Sequence, residues 1–148
     1  MRRQSVAQWF GKLDALREQV AWRYTRRWVI LLSGHLARLY GAEAPDAVTV
    51  ARLLLPEGDD EIVFARIWLA LCEAGRSDAS VAAAAAFGEA EQLARVQDWL
   101  PRARPSEHRA VCALASGLRA QLCSAEPIAL ADAWAVTEVL GGADELRR

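Results

Sequence analysis

Apolar residues recur at intervals of three and four along nearly the whole chain, and this spacing constrains the fold more than any other feature. It matches one face of an α-helix, which turns every ~3.6 residues. Alanine, the strongest helix former, occurs five times in succession in the run VAAAAAF at residues 81–87. No stretch alternates apolar and polar residues as a half-buried strand does. The sequence therefore predicts an all-α fold.

Glycine, proline and capping residues divide this helical pattern into seven segments within one domain. Gly41 and Gly75 each follow a periodic run, in the position that commonly ends a helix. Gly88 interrupts the alanine-rich segment and predicts a kink or a break there. The predicted parts of the single domain are a basic amphipathic helix at residues 1–24, helical hairpins at residues 25–142 and a frayed tail at residues 143–148.

The predicted hairpins share an internal period. Gly41 and Gly75 lie 34 residues apart, which is the tetratricopeptide period. The pair Ser33-Gly34 recurs as Ser116-Gly117 at a longer offset, so residues 88–101 are interpreted as an insertion. Hairpins of this kind bury their apolar faces by stacking on one another. We therefore predict about three stacked, tetratricopeptide-like hairpins, with an irregular helical bundle as the alternative.

Three segments of the chain carry a family resemblance. Residues 29–55, VILLSGHLARLYGAEAPDAVTVARLLL, and residues 65–80, ARIWLALCEAGRSDAS, resemble the small tetratricopeptide-type chaperones of bacterial type III secretion systems. Those proteins pair a Leu-Leu-x-Gly-x-Leu first helix with an alanine-rich second helix, and the first helix reads LLSGHL here. Residues 108–122, HRAVCALASGLRAQL, are similar to the final helix of the needle-subunit chaperones in that group. The resemblance implies stacked hairpins and a chaperone that prevents premature assembly of its partner.

Charge is unevenly distributed although the whole chain is nearly neutral. The 18 basic residues almost balance the 19 acidic ones, but residues 1–28 carry a net charge of +5 and the remainder carries −6. The three cysteines, Cys72, Cys112 and Cys123, form no Cys-x-x-Cys motif and favour a reducing compartment. No apolar run approaches the roughly 20 residues of a bilayer span. We therefore expect a cytoplasmic protein that does not insert into membranes.

Enzyme motifs are missing from the sequence. It contains no phosphate-binding loop, no His-Glu-x-x-His and no Gly-x-Ser-x-Gly. The run Asp59-Asp60-Glu61 is interpreted as a helix N-terminus, because acidic residues stabilise that end and no second carboxylate pair follows one turn later. His35 has no carboxylate or second histidine nearby in the sequence, so we interpret it as structural. We predict a non-enzymatic protein with no cofactor and no metal site.

Two surfaces are predicted to contact a partner. The first is a mainly apolar groove, carried over from the tetratricopeptide pattern, which suits an amphipathic helix. In the alternative interpretation the same residues face another helix of the protein itself. The second is a basic and aromatic patch of the kind found at interface hot spots. The groove residues are Trp28, Leu31, His35, Arg38, Leu69, Leu114 and Leu118, and the patch residues are Trp22, Arg23 and Arg26.

The function predicted from these surfaces is a small chaperone or adaptor that binds an amphipathic helix of a partner. The resemblance places that role in type III secretion, and a second copy of the chain is the other expected partner. The alternative function is a helical regulator that binds nucleic acid through its basic N-terminal helix, with an affinity that falls steeply with salt. A third hypothesis is a helical enzyme, which requires a titratable group with a perturbed pKa in a cleft.

Overall fold

The chain folds as an all-α protein in the computed structural model, which describes residues 3–40, 45–129 and 131–137 and the side chains from residue 11 onward. Every regular element within these ranges is helical, so the predicted fold class is confirmed. The predicted helix end at Gly41 and the predicted tail at residues 143–148 lie outside the described residues. The elements are α1 (Arg3–Leu36), a 3₁₀ turn (Ala37–Leu39), α2 (Ala47–Leu53), α3 (Asp59–Gly75), α4 (Ala79–Trp99), α5 (Pro105–Leu122) and a helical segment at 131–137.

The first helix, α1, is one continuous helix of 34 residues. The sequence analysis divided this region into a helix at residues 1–24 and a hairpin beginning at residue 25, and that boundary is wrong. No proline occurs in α1, and no glycine lies between Gly11 and Gly34, so nothing local ends the helix near residue 25. Thr25 is fully buried in the middle of α1, where it packs against Gly88 of α4. Tertiary packing therefore favours an unbroken helix at residue 25, where the sequence predicted a boundary.

Gly88 lies inside α4, which continues through it to Trp99. The predicted break at this residue is wrong, and the predicted insertion at 88–101 is mostly the second half of the same helix. A Cβ atom at Gly88 would lie 2.2 Å from the Trp68 ring and 3.0 Å from Thr25 Cγ2. Glycine is therefore needed here because it lets α1 and α3 approach α4 closely, and its effect on packing outweighs its low helix propensity.

The helices α1 and α4 run side by side in the same direction. Near the start of α4, Asp78 Oδ2 lies 3.7 Å from Arg17 Nη1 of α1. At the other end, the ring of Tyr40, just beyond α1, packs against that of Trp99, with 5.2 Å between centroids. Because α4 lies alongside α1 from residue 17 to residue 40, it buries the second half of α1 and leaves the first half outside this contact.

The third helix, α3, runs antiparallel to α1 and to α4. Glu61, at the start of α3, contacts His35 near the end of α1. Trp68, later in α3, stacks on Trp28, which lies about two turns before His35 in α1. In a simple stack of hairpins, the first helices of successive hairpins would share one direction. The packing of α1 against α3 therefore follows the irregular bundle that the sequence analysis kept as its alternative, although α3 and α4 do form the predicted hairpin.

A stack of planar groups around Trp28 holds the bundle together. The rings of Trp28 and Trp68 are nearly parallel, with centroids 5.5 Å apart, and the Phe64 ring lies 6.4 Å from Trp28. The guanidinium of Arg119 lies 4.9 Å from the centroid of the Trp28 ring. Stacked aromatic rings and cation–π contacts each contribute on the order of 1 kcal/mol beyond area burial. One tryptophan thus joins α1 to α3 and α5.

Arg119 is a buried cation that pairs with no carboxylate among the described residues, and its side chain is 1% exposed. Its Nη2 donates to Gln92 Oε1 at 2.8 Å and to Ser116 Oγ at 3.1 Å, and its Nε donates to the Ala115 carbonyl at 3.2 Å. Burial lowers the pKa of Arg119 to about 10. Stacking on Trp28 and these neutral acceptors therefore offset part of the cost of the buried charge, while Nη1 is buried without a hydrogen-bond partner among the described residues.

The junction of α4 and α5 is closed by His108. Its Nε2 lies 2.8 Å from the Leu100 carbonyl oxygen, and the side chain is buried. Pro105 occupies the first turn of α5, and the Glu107 carboxylate accepts the backbone N–H of Arg104 at 2.8 Å. Proline and an acidic side chain at these positions both favour a helix start. His108 is therefore a structural residue that joins two antiparallel helices.

Substitution of Gly88 by alanine tests the close approach of α1, α3 and α4. We expect Gly88→Ala to lower the free energy of unfolding by about 1–3 kcal/mol, since the new methyl group overpacks the Trp68 ring. Gly117→Ala on α5 is the matched control, because no atom lies within 4 Å of its added Cβ. The control should raise stability by up to ~1 kcal/mol. Urea unfolding of both variants measures this, and equal effects would contradict the packing role of Gly88.

Substitution of Arg119 by lysine tests the planar stack. We expect Arg119→Lys to lower the free energy of unfolding by about 2–4 kcal/mol, because an ammonium group cannot stack on Trp28 and satisfy Gln92 at once. Arg109→Lys, an exposed arginine of the same helix, should change stability by less than ~0.5 kcal/mol. Thermal unfolding compares the two, and a neutral Arg119→Lys would show that the stack is dispensable.

Candidate functional site

Residues 11–20, in the first half of α1, are all exposed, and Arg17 in this stretch pairs with Asp78 at the start of α4. Its apolar side chains Leu13, Leu16 and Val20 are 41%, 55% and 47% exposed. Their spacing of three and four residues places them on one face, and the sequence extends this spacing backwards to Val6 and Trp9. We call Leu13, Leu16 and Val20 the apolar stripe. Aligned apolar residues that stay exposed on a folded chain indicate a surface that binds something.

Basic residues lie on both sides of the apolar stripe. Lys12 precedes Leu16 by four residues and Arg23 follows Val20 by three, so both lie beside the stripe on the helix surface. Arg17 lies on the opposite side of the stripe, four residues after Leu13, and its Nη1 is 3.5 Å from Asp14 Oδ1. The stripe is therefore apolar along its centre and positively charged along its edges.

The predicted basic and aromatic patch lies around one depression on α1. Trp22 is half-buried against Phe87 of α4, with ring centroids 5.4 Å apart, and the Arg26 guanidinium lies 6.0 Å from the Trp22 ring. Trp22, Arg23 and Arg26 all line one shallow depression formed by residues of α1. Arg23 is exposed and also lies beside the apolar stripe. The structure thus brings all three predicted patch residues together on α1.

Three residues of the predicted groove are buried inside the chain, and their assignment to partner contact is corrected. Trp28 is 1% exposed, His35 is 4% exposed and Leu118 is 7% exposed. Trp28 is buried because it forms the centre of the aromatic stack, and His35 because it lies between α1 and the start of α3. No partner reaches these side chains without unfolding of the bundle. They face other helices of the protein, as the alternative interpretation stated.

The remaining groove residues do not line one shared groove. Leu31 is half-buried and lines a depression of about 340 Å³ between α1 and α3. Leu69 is half-buried and lines a different depression, between α3 and α5. Leu114 is half-buried on α5 and packs against the core, whereas Arg38 is exposed and pairs with Glu57. A helix-binding groove across three hairpins is therefore not formed by these residues.

His35 lies in a cluster of titratable groups that the sequence analysis did not find. Its Nε2 is 3.1 Å from Glu61 Oε1, and its Nδ1 is 3.0 Å from the Leu53 carbonyl oxygen. Glu61 Oε2 accepts the backbone N–H of Glu57 at 2.7 Å. The two glutamates lie 22 and 26 residues after His35 in the chain, so no local pattern signals this arrangement. The carboxylate that the sequence analysis required beside His35 is supplied by tertiary structure.

The outer edge of this cluster is an ion pair between Arg38 and Glu57. The Arg38 guanidinium donates to Glu57 Oε1, and both side chains are partly exposed. This hydrogen bond holds the pKa of the Glu57 carboxyl below its usual value, with a smaller contribution from the nearby His35. Glu57 is therefore an anion at neutral pH. The cluster as a whole, His35, Glu57, Glu61 and Arg38, joins the end of α1 to the start of α3.

Comparison with known proteins gives no match for this chain. No protein-family model, curated protein or solved structure matches the chain. Within the part of the chain that the structure describes, no helix combines the length and the apolar character that a bilayer crossing requires.

The three cysteines are all free and half-buried. Burial raises the pKa of the Cys72 thiol to about 11 and also raises the pKa values of Cys112 and Cys123. Because the thiolate is the reactive form, a raised pKa makes a thiol a poor nucleophile at neutral pH. Cys72 and Cys112 therefore behave as small core residues.

Alkylation of Cys72 should be slow and pH-dependent. A rise in pKa from 9.0 to about 11 lowers the thiolate fraction at pH 8 by about a hundredfold. We expect the rate of iodoacetamide labelling at Cys72 to rise about tenfold per pH unit up to about pH 11, while the protein stays folded. Peptide mapping by mass spectrometry measures the rate, with urea-unfolded protein as the control. Equal rates at pH 8 in folded and unfolded protein would contradict the burial of this thiol.

Proposed function

We propose that the protein is a non-enzymatic interaction module, a small chaperone or adaptor that binds an amphipathic helix of a partner protein through the first half of α1. The observation that carries this proposal is the exposure of Leu13, Leu16 and Val20 on a helix whose second half is fixed in the core. The binding surface is thus the apolar stripe of α1 in place of the groove predicted from the sequence.

The geometry of the stripe favours a helical partner. Apolar residues spaced alternately three and four apart form the seam along which two helices pack in a coiled coil. Full burial of a Leu or Val side chain contributes about 1.5–3 kcal/mol, so three such residues supply several kcal/mol before the cost of association. Because α4 and α3 hold the following turns of α1 in place, the free half is already helical and little ordering is needed on this side of the interface.

The charges beside the stripe favour a partner with acidic flanks over a second copy of this chain. Lys12 and Arg23 occupy one edge that a bound helix would face, whereas Arg17, on the other edge, already pairs with Asp14 and Asp78. Like charges across a helix pair oppose association, whereas opposite charges set the choice of partner and its orientation. An amphipathic helix with an apolar seam and glutamate or aspartate at its edges therefore fits this surface.

The cellular setting follows from the same features. Three unpaired cysteines favour a reducing compartment, so we place this function in the cytoplasm. A chaperone that covers an apolar helix there would prevent its premature assembly. The link to type III secretion comes from the sequence resemblance alone and stays a prediction.

A synthetic helix tests the proposal directly. The probe is a peptide of about 21 residues with leucine at both seam positions of each heptad and glutamate at the flanking positions. We expect wild-type protein to bind it and Leu16→Glu to bind at least about tenfold more weakly, because the substitution puts a charge in the seam. Val63→Glu on α3 is the control, since Val63 and Leu16 are both 55% exposed. Isothermal titration calorimetry measures the three affinities.

Other outcomes separate the alternative partners. Equal binding of the glutamate-flanked peptide and a lysine-flanked peptide would contradict the charge argument, and equal binding by Leu16→Glu would contradict the stripe. A dimer in sedimentation equilibrium that Leu16→Glu dissociates would replace the partner helix with a second copy. Binding of duplex DNA or RNA that is stronger than peptide binding and falls steeply with salt would favour the nucleic-acid alternative.

A further inference from the structure

The cluster at the end of α1 brings together three side chains that commonly bind metal ions. The Nε2 atom of His35 and one carboxylate oxygen each from Glu57 and Glu61 all lie within 4.8 Å of one another. The three residues come from α1, from the segment that precedes α3 and from the first turn of α3. Three ligands from three separate parts of the chain converge at one point, which a helix N-terminus alone does not explain.

The orientation of the imidazole is that of a metal ligand. The Leu53 carbonyl oxygen can only accept a hydrogen bond, so His35 Nδ1, 3.0 Å away, carries the proton and donates it. The other ring nitrogen, Nε2, faces the Glu61 carboxylate at 3.1 Å, and a metal ion bound there would take the place of the proton that Nε2 shares with Glu61. A histidine that binds a metal through one nitrogen usually donates the other N–H to a carbonyl or a carboxylate, which fixes the tautomer and the ring plane.

We propose that His35, Glu57 and Glu61 bind one divalent transition-metal ion, with Zn²⁺ as the best fit. One imidazole and two carboxylates suit Zn²⁺, Mn²⁺ or Fe²⁺, and three protein ligands leave a tetrahedral position for water. Neighbouring ligands of a tetrahedral zinc are about 3.3 Å apart, and the distance from His35 Nε2 to Glu61 Oε1 is 3.1 Å. Glu57, which is exposed, completes the site by rotation of its side chain.

Arg38 competes with the ion for Glu57. Without an ion, the Arg38 guanidinium pairs with Glu57 and neutralises one of the two carboxylates. Arg38 is exposed, so it can withdraw into solvent when Glu57 turns towards an ion. Removal of Arg38 should therefore strengthen metal binding, whereas removal of a ligand should weaken it. A purely structural ion-pair network would not respond in these opposite directions.

Metal titration of the full chain tests the site. After removal of metals with a chelator, we expect wild-type protein to bind one equivalent of Zn²⁺ in isothermal titration calorimetry. Glu57→Gln and Glu61→Gln should each weaken binding by at least about tenfold, and Arg38→Met should strengthen it. The control is Asp59→Asn/Asp60→Asn, which removes two exposed carboxylates beside the cluster and should leave the affinity unchanged.

Spectroscopy identifies the ligands independently. Co²⁺ in the same site should show visible bands of nitrogen and oxygen coordination without the sulfur charge-transfer band that would indicate the cysteines. In NMR spectra, Zn²⁺ should shift the ring signals of His35 and leave those of His108, the other histidine, unchanged. Absence of one-equivalent binding of Zn²⁺, Co²⁺ and Mn²⁺ to wild type would overturn the proposal. Unchanged affinity in both glutamine variants would do so as well.

Discussion

The stack of Arg119, Trp28 and Trp68 is the contact on which the rest of the structure depends. It joins α1, α3 and α5 at one point, and Gly88 lets α4 approach the same point from the side. A buried guanidinium without a carboxylate partner among the described residues is costly unless its charge is compensated. Here the face of an indole ring and three neutral oxygen acceptors offset part of that cost. The centre of the core therefore depends on shape and orientation as well as on apolar area.

This contact also explains why one helix has two different environments. From Ala21 onward α1 is buried at regular intervals, because α3 and α4 cover it. Before Ala21 the described side chains of α1 are exposed, yet the helix continues without a break. Isolated helices are marginal in water, whereas one that extends a packed helix avoids the cost of nucleation. The core thus supports an exposed helix that presents the apolar stripe in a defined conformation.

The two proposed sites lie at opposite ends of the buried part of α1. Val20 and His35 are separated by 15 residues, or about 22 Å along a helix. The apolar stripe needs no residue of the metal cluster, and the cluster needs no residue of the stripe. Loss of one function by substitution would therefore leave the other intact, and the two proposals stand or fall separately.

The sequence by itself determined the helical class, the amphipathic pattern and the positions of α3 and α5, because helix propensity and capping depend on residues within one or two turns. It did not determine that α1 passes residue 25 unbroken, that Gly88 serves packing, or that Trp28 and Leu118 are buried. Nor did it place Glu57 and Glu61 beside His35. Only the tertiary structure decided these points, since each depends on which helices meet and in which direction, and contacts between distant residues leave no periodic signal in the chain.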